Sequence, residues 1–303
     1  MTQKTSSKAK SKTSSKAERL KIQRQVYFEI LEGYTPALIK GEKSFIKHFD
    51  LRAQTAVDAY YQEIYEDAQE KGLLTEAQLL EQLIEDGIWS KKEEDHLHEL
   101  GRKLKGAHST LAKLASAAMR ESLEESIKRI EGQIAEAEHK KGSLIENTCE
   151  QFSEKKSSDL VVKLAFYKED KVTPFYSDEE FDILERGEIL ELIGIHNKAC
   201  THLKTDTLRA IAIADFFTAY FSLVDSDPSK FFAKPVYELT FFQVNLLSYA
   251  RIYSNILKNM DPPEHIREDP DRLLSFAQSQ QKKREAQERK AKKPQSAGPP
   301  TLS

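Results

Sequence analysis

One run of residues restricts this chain more than any other. From Leu97, apolar residues recur every three or four positions: Leu97, Leu100, Leu104, Ala107, Leu111, Leu114 and Ala118. A second series, Leu123, Ile127, Ile130, Ile134 and Ala137, keeps the same spacing but falls out of register with the first near Met119. Such a stripe is the signature of a coiled coil, because it places every apolar side chain on one seam of a helix. Two arrangements satisfy it. A skip re-phases one continuous helix, or the chain folds back near Met119 as a helical hairpin. The alanines Ala112, Ala115, Ala117 and Ala118 permit close packing but supply no turn, so the sequence favours one long helix. From Ser90 to Ile145 it would be roughly 80 Å long at 1.5 Å per residue and would protrude from any ordinary domain. Its stripe needs a partner surface, so self-association through residues 90–145 is expected.

The rest of the chain suits such a frame. Apolar residues make up 39% and charged residues 31%, a balance that fits well-solvated helices around a modest core. Residues 1–21 hold seven basic residues and one acidic one, and residues 282–293 hold seven and two. With an overall net charge of −3, an acidic body therefore lies between two basic ends. Those ends read as solubilising tails, with contact to nucleic acid as the sharper alternative. Neither interleaves aromatics with its lysines, so base stacking is not supported.

Local signals divide the chain further. Val26–Leu31 reads as a strand. Residues 37–40 and 44–49, around Gly41-Glu42-Lys43, read as a β-hairpin. Asp50 is a helix N-cap. Thr75–Gln78, Ser90–Glu93, Ser177–Glu180 and Thr240–Gln243 are capping boxes, and Asp269-Pro270 opens a last helix. Leu160–Tyr167 could be helix or strand. Helices are then expected to about Glu185, over 188–203 and over 206–224. Aromatic residues crowd the second half. The division is a disordered basic tail (1–24), a β-hairpin with two helices (25–89), a coiled-coil helix region (90–156), a compact aromatic-rich helical domain (157–280) and a basic disordered tail (281–303). The fold class is mainly α.

Searching for chemistry finds little. No glycine-rich phosphate loop, nucleophile elbow or Cys/His zinc pattern occurs. Glu93-x-x-His96 and Glu136-x-x-His139 have the spacing of di-iron bundles, yet on one continuous helix they would lie about 60 Å apart. His196 and Cys200 share a helix face without further ligands nearby. Cys149 and Cys200 read as small buried hydrophobes in a reducing compartment. No cofactor, metal site or catalytic residue is assigned, and no segment is apolar enough to enter a membrane. The candidate partner-binding residues are Phe231 and Phe232. They sit in a connector between Asp225-Ser226-Asp227-Pro228 and Pro235, where either one ring faces the core and the other a partner, or both rings tuck under the connector and pin it to the helices.

Several stretches also carry a resemblance. Glu32–Phe49 with Leu51-Arg52, Gly87–Asp95, Phe231–Gln243 and Ile266–Leu274 resemble a poorly characterised, tail-related family of marine phages with contractile tails. The similarity covers about residues 27–280 and leaves out the Lys/Ser-rich N-terminal tail. It carries over no catalytic residues. It implies a non-enzymatic role in phage tail or baseplate assembly, in the host cytoplasm or in the virion. A short hairpin before helices also resembles tail assembly chaperones, which bind the tape-measure protein, an analogy at the level of fold alone. The alternatives are a nucleic-acid-associated protein using its basic ends and a di-metal helical-bundle enzyme.

Overall fold

The computed structural model describes residues 4–111, 117–224 and 227–291. Its first helix is α1 (Lys4–Glu32). Residues 4–24 are helical, and Gln23 is already buried. Val26–Leu31 is the end of that helix and not a strand. Val26 and Ile30 are four apart and both buried, while Phe28 between them is exposed, the rhythm of a helix with one face inside. Gly33 ends α1 at φ +80, its N–H donating to the Glu29 carbonyl at 2.9 Å.

The hairpin follows as β1 (Tyr34–Ile39) and β2 (Glu42–Lys47), antiparallel with Ile39 opposite Glu42. The turn is thus two residues, Lys40 and Gly41, both at positive φ, and not the three-residue loop expected. A lone hairpin is marginal, and this one is not alone. A short strand β3 (Phe166–Tyr167) pairs antiparallel with β2. It continues directly from α6 (Cys149–Ala165), so the ambiguous run at 160–167 is helix first and strand last. Ile39, Ile46, Val162, Phe166, Phe181 and Leu192 form the core beneath the sheet.

Helix α2 (Leu51–Glu70) starts at Asp50, whose carboxylate accepts from Ala53 N at 2.9 Å, and packs along α6. Next comes α3 (Glu76–Glu85), with the Thr75–Gln78 capping box closed. The apolar stripe then divides into α4 (Lys91–Leu111) and α5 (Ala117–Leu144), packed side by side. One long helix is therefore incorrect. Lys140 pairs with Glu93 at 2.5 Å and Lys141 with Glu94 at 3.1 Å, contacts that a continuous helix would hold about 70 Å apart. The two out-of-register series belong to two facing helices. Leu100 and Ile127 are buried in their seam. The stripe thereby finds its partner surface within the same chain. Nor does the region stand clear, since His108, Leu111 and Arg120 line a recess together with Arg209 and Asp271 of the helical body.

The body holds α7 (Asp178–Asp182), α8 (Arg186–Cys200), α9 (Thr205–Ala212), α10 (Asp215–Phe221), α11 (Phe241–Asn259) and α12 (Pro270–Ala291). The helix expected over 206–224 breaks at Ile213-Ala214, and the chain bends there by 69°. The bend lets Leu208 and Ile211 on one arm and Phe217 and Phe221 on the other enter one core with Leu246, Tyr253 and Leu273. Val26 and Ile30 of α1 belong to the same core. Among the described residues, no single helix is long and apolar enough to cross a membrane. Helix α12 runs out into the basic stretch, as far as Ala291. Residues 1–3 and 292–303 lie outside the described residues.

Candidate functional site

The most unusual chemistry in the molecule is a buried polar chain where α1, the hairpin and the end of α8 meet. Glu29 lies on the inner face of α1 and is 7% exposed. Its Oε2 receives Thr35 Oγ1 of β1 at 3.1 Å and sits 2.6 Å from His202 Nε2. Thr35 Oγ1 is also 2.9 Å from His48 Nε2, just beyond β2. A hydroxyl has one proton, and here it is given to the carboxylate. Its oxygen therefore accepts from His48, which fixes the Nε2–H tautomer. His48 Nδ1 is left buried without a partner, and the ring stands edge-on to Phe242 at 4.9 Å.

Burial pushes the His48 pKa down to about 4, against the pull of Glu29. Burial likewise lowers His196 and pushes the Cys200 thiol up to about 11, with Glu29 adding to the latter. A thiol held protonated at neutral pH is a poor nucleophile. The Glu29 carboxylate thus joins α1 to the hairpin through Thr35 and to the end of α8 through His202, a clamp that fixes how the hairpin sits on the body.

The residues singled out from sequence have the following places. Phe232 is 8% exposed and Phe231 is half-buried. Phe231 lies against Phe217 and Phe221, with ring centroids 5.2 and 6.1 Å away, and against Phe232 at 5.1 Å. Both rings pack on the aromatic core from a 3-10 turn, Pro228–Phe232, with Phe231 partly exposed. The fold-back of α4 on α5 does bring Glu93, His96, Glu136 and His139 to one groove. Glu93, however, is taken up by Lys140 and by its capping box with Ser90. Among the described residues, no group of three or more His, Cys, Asp or Glu side chains is arranged to hold a metal ion.

A face that the sequence did not reveal lies close to the clamp. The Thr240–Gln243 capping box starts α11 and turns Gln243 fully inward, where its Nε2 donates to the Ile30 carbonyl at 2.9 Å. That rotation sends Phe241 outward, 66% exposed, with Val244 one turn on. Phe241 N donates to the Phe49 carbonyl, which brings Leu51, 58% exposed, alongside. Arg52 lies over the Tyr237 ring, 4.5 Å from its centroid, and Val236 beside it is 63% exposed. Leu51, Val236, Tyr237, Phe241 and Val244 are thus exposed apolar residues grouped where the starts of α2 and α11 meet. The one sequence signal for it is the box itself, since the residue at the first helical position points away from whatever its third position is buried against.

No protein-family model, curated protein or solved structure matches this chain.

Proposed function

We propose that this protein is a non-catalytic, protein-binding factor of phage tail or baseplate assembly, chaperone-like or structural, that acts in the host cytoplasm. The exposed face of Leu51, Val236, Tyr237, Phe241 and Val244 carries this reading. Aromatic and arginine side chains on a firmly anchored apolar surface are the usual makings of a binding hot spot. The face is anchored by the α11 capping box, the Gln243 hydrogen bonds and the bridge between Asp50 and Thr240. The resemblance to phage tail proteins supplies the class of partner, with the tape-measure protein first. On this reading the partner site is the Phe241 face and not Phe231 and Phe232, whose rings pack against the core.

Co-expression with the tape-measure protein encoded in the same genome tests the reading. The two proteins should co-purify, and Phe241→Ser should weaken the complex by about thirtyfold, the loss of a 2 kcal/mol hot spot, without lowering the melting temperature. Failure of the tape-measure and baseplate proteins to co-purify with the wild-type chain sinks the proposal. So does a Phe241→Ser variant that binds as well as wild type. The second reading, nucleic-acid contact through the basic ends, would instead show binding that collapses steeply with salt.

A further inference from the structure

Another part of the molecule carries a recess that the protein-binding reading does not use. It lies where α1 passes the bend between α9 and α10, and its volume is about 380 Å³, within the range of small-ligand pockets. The bend creates it. A straight helix through Ile213 and Ala214 would continue past α1, whereas the 69° turn swings Phe216 round to form a wall.

Three features of the lining point to a ligand. Leu20, Ile213 and Phe216 make an apolar floor. Arg19 and Arg24 stand over it from α1. Arg24 lies 5.5 Å from the Phe216 ring centroid, and neither guanidinium has a carboxylate partner among the described residues. Between them Gln23, 7% exposed overall, turns a polar side chain to the lining of the recess. Asp215 and Glu268 also line the recess, and Glu268 is already engaged elsewhere. Two carboxylates close by disfavour a compact dianion but tolerate a single negative charge held by two guanidinium groups.

We propose that this recess binds a monocarboxylate bearing an apolar group, either a free organic acid or the C-terminal residue of another polypeptide. Arg19 and Arg24 hold the carboxylate, the Gln23 amide donates to it, and Leu20, Ile213 and Phe216 receive the apolar group. The test is a titration of the full chain followed by backbone amide shifts, with 3-phenylpropionate as probe. Shifts should concentrate at residues 19–24 and 210–216. Arg19→Gln and Arg24→Gln, both at exposed positions, should each weaken binding about tenfold without loss of stability, as removal of one charge-assisted hydrogen bond does. Inorganic phosphate and 3-phenylpropanol should bind far more weakly. A peptide ending in phenylalanine separates the sources. Tighter binding than 3-phenylpropionate, lost on C-terminal amidation, identifies a chain end, and the reverse order identifies a free acid. The proposal is overturned by an absence of shifts at probe concentrations on the order of 10 mM. Shifts centred elsewhere, equal binding of phosphate, or unchanged affinity in both arginine variants overturn it as well.

Discussion

His48 offers the sharpest test of the clamp. Its ring is 4% exposed, its Nε2–H is committed to Thr35, and protonation would place a second N–H at Nδ1, where no acceptor waits. Glu29 faces it from α1 through Thr35 and favours the charged ring. Burial disfavours it most, His202 and His196 from the α8 side add to that, and together they outweigh Glu29. The folded-state pKa is therefore lowered, from 6.5 to about 4. A histidine lowered in this way stabilises the fold fully above pH 6.5 and loses that contribution as pH falls towards 4, because the unfolded chain takes up the proton first. At 1.36 kcal/mol per pH unit the whole effect is about 3 kcal/mol, most of it lost by pH 4.5. Against a typical total of 5–15 kcal/mol this is large. Urea unfolding at pH 7.5 and pH 4.5 measures it, with His48→Gln as reference, since a glutamine amide can still donate to Thr35 but does not titrate. Wild type should lose about 2 kcal/mol more than the variant on acidification. Equal losses would refute the argument and mean that His48 is protonated in the fold or reached by water.

Further expectations concern the core and the hairpin. Spin labels at Glu93 and Lys140 should report a separation below about 20 Å, whereas one continuous helix would give about 70 Å. Gln243→Leu should cost at least about 2 kcal/mol in chemical denaturation, because it removes the capping box and leaves the Ile30 carbonyl buried without its donor. Phe232→Ala should cost about 3–5 kcal/mol, and Phe231→Ala somewhat less. Any fall in partner binding should only track that loss. A Phe231→Ala variant with native melting but abolished binding would return the partner site to that connector.

What could be read from the sequence was mostly local. A capping box is a matter of two side chains three residues apart, so Thr75, Ser177 and Thr240 announced helix starts that the structure bears out. The mainly helical class followed from the same signals together with the apolar stripe. Fold-back of α4 on α5 was hidden because no glycine or proline marks it, and two helices facing each other show the same periodicity as one helix facing a partner. Val26–Leu31 misled through its β-favouring residues. The decisive fact, that Val26, Glu29 and Ile30 face inward at helical spacing, depends on elements far along the chain, among them α9 and α11. Glu29, Thr35, His48 and His202 have no spacing that a reader could notice, since Glu29 and His202 meet across 173 positions. Phe231 and Phe232 were placed correctly in a connector, but which way a ring turns there is settled by Phe217 and Phe221, on a helix whose break the sequence did not show.

The joint between Leu74 and Thr148 has a consequence for how the chain is assembled. These residues form a parallel bridge, and Cys149 N donates to the Leu74 carbonyl at 3.0 Å, so the chain departs from and returns to one point. Everything between, with its own small core of Leu83, Trp89 and Ile145, is topologically a single detour from the α2–α6 pair. Closing a loop costs only about 0.6 kcal/mol more for each doubling of its length. Replacing residues 75–147 by a tight turn would therefore relieve on the order of 2–3 kcal/mol of closure entropy. The body can carry this detour cheaply, and insertions or deletions within it leave the register between α2 and α6 untouched.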